Sequence, residues 1–224
     1  FTFPAFILML MWHVFDGSDG QLARATNRTS DFGRIMDGIC DHGAFFFIYM
    51  ALAFGALDQG IPHFIVWPIG VAASIAHGVQ AAAFEKRREC YRDTVYSANK
   101  RRNADPDTAQ PTASMKSLDR LYQTTQNIGM TSLKEIHSYL APKLKNLEDS
   151  ERVNWLNIYK QHMIPSIKKW SVLSANHRTL AILGFVIIGQ PIGYFLFELT
   201  ILNMAYFILL TQEKRILRSL KRCN

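Results

Sequence analysis

Long apolar runs alternate with polar segments along the chain, at lengths that suit membrane spans. A helix needs ~20 mostly apolar residues to cross the hydrocarbon core of a bilayer. Four segments meet this requirement, at 35–57, 63–84, 170–189 and 191–211. A shorter apolar run at 1–15 opens the chain without a starting methionine or signal-peptide features, so we expect a truncated span there. The pattern predicts an all-α, multi-span transmembrane helical bundle.

The polar segment 85–169 divides these spans into two pairs and has a helical pattern of its own. Residues 85 to about 102 are rich in helix formers and are expected to continue the preceding span. Apolar residues recur at helical offsets in 114–140 and again in 153–163, and we expect the second run to end at Pro165. A helical cytoplasmic insert is predicted, and a role in shaping the acceptor site or contacting a partner is left open. The predicted divisions are 1–84 with the motif described below, 85–169, 170–212 with two spans, and a basic tail at 213–224.

Basic residues predict the orientation of the chain in the membrane. The short connections 58–62 and 190–193 carry no Lys or Arg, whereas 24–34, 86–88 and 213–222 carry several. Basic loops usually lie on the cytoplasmic side, so these three segments are expected there. The net charge of +7 fits contact with anionic lipid headgroups. No nucleic-acid partner is expected, because no basic stripe with interleaved aromatic residues occurs.

Charged residues interrupt the apolar pattern in the segment DGSDGQLARATNRTSDFGRIMDGICD, at 16–41. If both halves are helical, the first two aspartates share a face at i, i+3. The last two aspartates follow a glycine at steps of four and form a stripe. Carboxylates in or beside a membrane are costly, and by default they indicate a functional site. The pattern D-x2-D-G-x2-A-R-x8-G-x3-D-x3-D falls on Asp16, Asp19, Gly20, Ala23, Arg24, Gly33, Asp37 and Asp41.

The chemistry of these residues suits a metal-assisted site for a diphosphate ester. Four carboxylates brought together by two helices cannot all stay ionised unless cations neutralise them. An all-oxygen cluster suits magnesium, manganese or calcium and suits zinc poorly. Arg24 offers a fork for phosphate oxygens, and the small residues leave room for a flat group to approach the backbone. An EF-hand loop is excluded, because Asn27 stands where that loop needs a glutamate.

The eight positions, at this spacing, resemble the motif of the CDP-alcohol phosphotransferases, also called CDP-alcohol phosphatidyltransferases. The resemblance implies an integral membrane enzyme that transfers a phospho-alcohol group from a CDP-linked donor to an acceptor hydroxyl and releases CMP. It implies two divalent ions, Mg²⁺ or Mn²⁺, and Asp41 as the general base. The implied metal ligands are Asp16, Asp19, Asp37 and Asp41. The implied contacts to nucleotide and diphosphate are Gly20, Ala23, Arg24 and Gly33.

Three interpretations of the substrates and role stay open. CDP-diacylglycerol as donor with a small polyol acceptor, such as inositol, glycerol phosphate or serine, is favoured. The second is a soluble CDP-alcohol donor with a lipid hydroxyl as acceptor. The third is a catalytically silent membrane scaffold, which the retention of every motif residue disfavours. The expected partners are the donor, the acceptor and membrane lipids, with a homodimer left open.

Several polar residues fall at membrane depth outside the motif. Glu198 and Asn203 lie in the last predicted span, and His77 lies in the second. An intramembrane acid usually has a partner, so Glu198 is expected to pair with a base or to line a substrate cavity. Arg178 is expected to snorkel to the interface. Binding of an acceptor phosphate or a donor headgroup by Arg178 is the alternative.

Overall fold

Helices form the described part of the protein. The computed structural model describes residues 2–26, 31–100, 135, 138 and 149–222, and all regular secondary structure in these ranges is helical. The predicted all-α class is confirmed there. In chain order the helices are α1 (Thr2–Ala25), α2 (Asp31–Asp58), α3 (His63–Lys100), α4 (Asp149–Trp170), a 3-10 turn (Ser171–Leu173), α5 (Ala175–Ile187), α6 (Pro191–Phe197), a π-helical turn (Glu198–Leu202) and α7 (Asn203–Arg222).

Three described helical stretches are long and apolar enough to cross a membrane. They are Cys40–Asp58, His63–Val95 and Pro191–Ile216, the last of which runs from α6 through the π-helical turn into α7. The protein is therefore a membrane protein with an all-α fold. The segment predicted as the third span, 170–189, begins with the 3-10 turn, and α5 has only 13 residues. That length is below the ~20 residues that a full crossing needs, so the span at 170–189 stays a prediction.

α3 continues well beyond the apolar segment that begins it. The helix is unbroken from His63 to Lys100, so 85–100 continues the preceding helix as the sequence predicted. Most of the remaining insert, at 101–134, 136–137 and 139–148, lies outside the described residues. The helices predicted in 114–140 are therefore not tested, apart from helical backbone at Glu135 and Ser138.

The predicted helix end at Pro165 is wrong. α4 passes through Pro165 and ends at Trp170. A proline inside a helix removes one backbone hydrogen bond and crowds the preceding turn, at a cost of ~3 kcal/mol. Packing on both sides of the proline outweighs this cost, because Met163 is 1% exposed and Trp170 is fully buried.

The chain forms two compact units. The first consists of Phe1–Gly78 and Ala175–Ile201, and the second of Val79–Ser174 and Leu202–Asn224. In the first unit, α2 presents a buried face of residues three or four positions apart, as expected for one side of an amphipathic helix. The core of this unit contains Phe45, Tyr49, Leu52, Ala53, Ala56, Val66, Ala73, Ile182, Tyr194 and Phe195.

Two glycines with positive φ close the ends of α2 and α5. Gly60 has φ +82° two residues after α2, and Gly189 has φ +69° two residues after α5. This left-handed conformation favours glycine, which has no Cβ to clash with the preceding turn. The side chain of Gln59 donates a hydrogen bond to the carbonyl of Gly189 at 2.8 Å. That bond joins the two turns and fixes the ends of α2 and α5 relative to each other.

Candidate functional site

α1 and α2 carry the eight motif positions in helical conformation, which is the condition on which the spacing argument depends. Asp41 is the one motif residue whose side chain the described part of the structure includes. For the other seven motif residues the description is limited to the helical backbone: Asp16, Asp19, Gly20, Ala23, Arg24, Gly33 and Asp37. Both helices belong to the first unit, and the helical backbone gives the i, i+3 and i, i+4 relationships on which the prediction depends. The assignments as metal and nucleotide ligands stay predictions.

An aromatic pair joins the two motif helices close to Asp41. Asp41 is half-buried, and its Oδ1 atom is shielded from solvent. One turn further along α2, Phe45 is 6% exposed and meets Trp12 of α1 edge-to-face, with ring centroids 5.9 Å apart. Trp12 itself lies one turn before Asp16 in α1. The two helices therefore meet through this ring pair within a turn of the motif.

Five polar side chains form a buried cluster on the side of α2 that carries Phe45. We call it the buried polar cluster. It consists of Tyr49, His77, Arg178, Tyr194 and Glu198, all of them nearly or fully buried. Arg178 Nη1 donates to Glu198 Oε1 at 2.5 Å. The hydroxyls of Tyr49 and Tyr194 donate to Glu198 Oε2 at 3.1 Å and 2.9 Å. Both oxygens of the carboxylate are thereby satisfied, as a charge inside a membrane protein requires.

The hydrogen bonds of the cluster also define the state of His77. Arg178 Nη1 lies 2.9 Å from Nδ1 of His77. Because a guanidinium group can only donate, Nδ1 accepts, so the imidazole is neutral and carries its proton on Nε2. The His77 ring also contacts Phe45, with centroids 4.4 Å apart. His77 therefore joins the polar cluster to the aromatic pair beside the motif.

The cluster settles two expectations made for polar residues at membrane depth. The pairing of Glu198 with a base is confirmed, and the base is Arg178. The snorkelling of Arg178 is wrong, because its side chain is 1% exposed and points into the cluster. An acidic partner and two tyrosine hydroxyls inside the unit offset the cost of burying the guanidinium group. Sequence reasoning missed the roles of Tyr49 and Tyr194, since tyrosine in an apolar helix gives no signal of a buried partner.

An apolar cavity of about 510 Å³ lies within the first unit. Its walls come from α1, α2 and α5 and include Phe6, Met9, Ile48, Leu52, Ile182 and Val186. It extends along α2 from Ala44, three residues after Asp41, to Gln59, the first residue after the helix. Fifteen helical steps of 1.5 Å give it a length of roughly 22 Å along α2. The cavity thus begins beside the motif and follows the helix away from it.

The second unit has a buried ion pair of its own. Arg87 donates to both oxygens of Glu213 at 2.8 Å and 2.7 Å, and both side chains are fully buried. The guanidinium group also stacks over the Trp170 ring at 3.6 Å. Asn203 accepts a hydrogen bond from Gln80 at 2.8 Å. Arg87 therefore does not present its charge at the surface, although it belongs to the basic run that suggested the orientation.

The fold and the motif together indicate a class of protein: a helical membrane protein whose acidic motif lies on two successive helices. Residues 2–106 match the family model described as CDP-alcohol phosphatidyltransferase. The match covers α1, α2 and α3, a little under half of the 224 residues. Over this stretch the chain is similar to CDP-alcohol phosphatidyltransferases, which confirms the resemblance carried by the motif.

The match indicates the general chemistry. Enzymes of this family transfer a phospho-alcohol group from a CDP-alcohol to an acceptor, and they are transferases of substituted phosphate groups. The family is generally dependent on divalent metal ions. No curated protein and no solved structure matched the chain in the two other comparisons.

Proposed function

We propose that the protein transfers a phosphatidyl group from CDP-diacylglycerol to the hydroxyl of a small polar acceptor and releases CMP. The reaction takes place on the cytoplasmic side of the membrane, in phospholipid synthesis. The observation that carries the proposal is the apolar cavity that begins at Ala44 and follows α2 for roughly 22 Å. A lipid chain in this cavity places the polar end of the same molecule beside Asp41.

The lining of the cavity supports a hydrocarbon occupant. Aliphatic and aromatic side chains form almost all of its walls, and burial of a lipid chain against them is favourable at ~25 cal/mol for each Å² of apolar surface. A nucleotide or a sugar would leave its polar groups without partners in such a cavity. The substrate that enters the cavity is therefore the lipid, and the cytidine group belongs at the motif.

The donor set of the motif fits the divalent ions on which the family generally depends. In the proposal Asp16, Asp19, Asp37 and Asp41 hold two Mg²⁺ or Mn²⁺ ions, because oxygen ligands on two helix faces suit these hard cations. When bound, such ions neutralise the charge on the diphosphate.

The remaining motif residues orient the donor and activate the acceptor. Arg24 holds the diphosphate through its guanidinium fork, and the small residues Gly20, Ala23 and Gly33 allow the cytidine to lie against the backbone. Asp41 takes the proton of the acceptor hydroxyl as that oxygen attacks the β-phosphorus. The bond from the β-phosphorus to the bridging oxygen breaks, and CMP leaves with that oxygen.

The cavity also suits the second interpretation of the substrates. A soluble CDP-alcohol donor would need a lipid hydroxyl as acceptor, and that lipid would occupy the same apolar space. Release of CMP by the purified protein in detergent distinguishes the two, with CDP-diacylglycerol plus polyol acceptors in one arm and CDP-alcohols plus diacylglycerol in the other. The proposal expects CMP release in the first arm. Release confined to the second arm would overturn it.

A variant that fills the cavity tests whether a lipid binds there. Ala51 lines the cavity on α2, and Ala72 is exposed on α3 away from it. We expect Ala51→Trp to raise the KM for the lipid substrate about tenfold, equivalent to ~1.4 kcal/mol of lost binding. The KM for the soluble substrate should stay the same, and Ala72→Trp should change neither value. An unchanged lipid KM in Ala51→Trp would show that the cavity does not hold the substrate.

A further inference from the structure

Phe45 connects the buried polar cluster to the helices that carry the motif. Its ring lies 4.4 Å from the ring of His77 and 5.9 Å from the ring of Trp12, measured between centroids. Tyr49, one turn further along the same helix, donates to the Glu198 carboxylate. A continuous series of contacts therefore runs from the cluster, through Phe45 on α2, to Trp12 on α1.

The aromatic end of this series lies one helical turn from the motif on both helices. Trp12 precedes Asp16 by four residues, and Phe45 follows Asp41 by four residues. Positions four residues apart share a helix face, and one turn corresponds to ~5.4 Å along the axis. The distance between α1 and α2 at the aromatic pair therefore largely sets their distance at the two aspartates.

The cluster is more polar than packing alone requires. A buried ion pair usually gives little net stability compared with apolar side chains of the same volume. Hydrogen bonds, however, have fixed directions, so a fully satisfied polar cluster permits one arrangement of the helices that contribute to it. Here those helices are α2 through Tyr49, α3 through His77, α5 through Arg178 and α6 through Tyr194.

We propose that Glu198, Arg178 and His77 are positioning residues for the transfer reaction. Their hydrogen bonds hold the His77 ring against Phe45, and Phe45 holds α1 and α2 at the separation that the metal site requires. Binding constellations lose function when their groups move by more than ~0.5 Å, so a small shift of Phe45 is enough to weaken the site. The inference rests on the proposed metal site and adds to it the residues that set its dimensions.

The second unit supplies a matched control for the test. Glu198 and Glu213 are both fully buried, and each forms an ion pair with a buried arginine. Glu198→Gln and Glu213→Gln therefore remove the same charge from the same kind of pair. Glu198 belongs to the series of contacts that leads to the motif helices, whereas Glu213 pairs with Arg87 within the other unit.

The measurement is the Mg²⁺ concentration for half-maximal CMP release by the purified full chain, together with kcat and the thermal midpoint of each variant. We expect Glu198→Gln to raise the half-maximal concentration about 10- to 100-fold, the range found for residues that orient metal ligands. Glu213→Gln should lower the thermal midpoint to a similar extent and leave the metal requirement within about twofold, since a loss of stability alone does not change metal affinity. Equal metal requirements in the two variants would overturn the inference.

A second variant keeps the test decisive if Glu198→Gln does not yield folded protein. Phe45→Leu removes the ring that contacts both His77 and Trp12 and leaves every charge in place. It should shift the metal requirement in the same direction as Glu198→Gln, and an unchanged requirement would overturn the inference. A wild-type protein that releases CMP at full rate without divalent ions would overturn the metal site itself, and the positioning role with it. A metal-dependent wild type with unaffected variants would overturn the positioning role alone.

Discussion

Arg178 and Glu198 form an ion pair inside the first unit, with Nη1 of the arginine 2.5 Å from Oε1 of the glutamate. The arginine belongs to α5, and the glutamate is the first residue of the π-helical turn that follows α6. The pair is neutral as a whole, and both members are 1% exposed or less. Two charges that would each be costly in a membrane segment are therefore tolerated together.

Removal of the arginine alone should destabilise the protein strongly. Arg178→Met leaves the Glu198 carboxylate buried with its tyrosine donors and without its counter-charge. Breaking a buried pair in this way costs about 3–5 kcal/mol. The measurement is the free energy of unfolding in mixed detergent micelles, followed by the loss of helical circular dichroism.

The double variant is the control for that measurement. Arg178→Met combined with Glu198→Gln removes both charges and keeps an acceptor for the two tyrosine hydroxyls. We expect it to lose less stability than the sum of the two single variants, with a coupling free energy of about 0.5–3 kcal/mol. Strictly additive losses would mean that the two side chains do not interact as the structure describes.

Two glycines of the first unit should respond to alanine in opposite directions. A Cβ added to Gly193 would lie 2.9 Å from Phe185 Cδ1, and that ring is held by contacts with Tyr194 and Phe197. Gly193→Ala should therefore cost about 1–3 kcal/mol through overpacking. The matched control is Gly184→Ala in α5, where the new methyl group meets nothing within 4 Å.

The control should be stabilising, because alanine in a helix interior loses less conformational freedom than glycine. The expected gain is about 0.5–1 kcal/mol. Thermal unfolding of both variants under one set of detergent conditions gives the comparison. A Gly193→Ala variant as stable as Gly184→Ala would show that the Phe185 ring moves aside at no cost.

The sequence predicted the elements that depend on local patterns. Apolar runs located α2 and α3, and the run of helix formers after residue 84 predicted the continuation of α3 to Lys100. Pro165 was misread because the cost of an internal proline is local, whereas the burial of Met163 and Trp170 that offsets it depends on tertiary packing. The boundary predicted between the insert and the next apolar segment, at 169/170, lies beside the 3-10 turn at Ser171–Leu173, because the change from polar to apolar residues there is local.

The candidate site was only partly accessible from the sequence. The motif stands out because its residues occur at fixed offsets within two helices and because carboxylates are rare beside apolar runs. The buried polar cluster gave a weaker signal. Glu198 indicated a need for a partner, but the identity of that partner depends on which helices pack together. Tyr49 and Tyr194 are 145 positions apart in the chain, and no local pattern predicts the contact between them.

Chelation of divalent ions should abolish activity without unfolding the protein. The proposed site gathers four carboxylates, and their mutual repulsion needs cations to offset it during the reaction. CMP release should vanish in a chelator and return with Mg²⁺ or Mn²⁺, with Zn²⁺ a poor substitute for an all-oxygen site. Unchanged circular dichroism serves as the control. Full activity in a thoroughly chelated sample would contradict the metal-dependent mechanism.

The two roles proposed for the aspartates can be separated by a pair of isosteric variants. Asp41→Asn removes the anionic base and keeps an oxygen ligand, so turnover should fall about 100- to 10,000-fold, the usual contribution of a general base. Donor affinity should fall much less, because the remaining aspartates and Arg24 still hold the diphosphate. Asp19→Asn should weaken metal and donor binding together, because in the proposal this carboxylate only binds metal and an uncharged amide oxygen is a weaker ligand. Calorimetry of donor binding and CMP release, both at saturating Mg²⁺, give the two quantities.

Asp58→Asn is the control for both variants, because this exposed aspartate lies at the far end of α2, 17 residues beyond Asp41. It makes the same chemical change on the same helix, and both affinity and turnover should stay at the wild-type values. If Asp41→Asn lost donor binding as severely as Asp19→Asn, Asp41 would act mainly as a metal ligand. The proton of the acceptor hydroxyl would then have to pass to another group, and the base would have to be sought among the remaining residues near the motif.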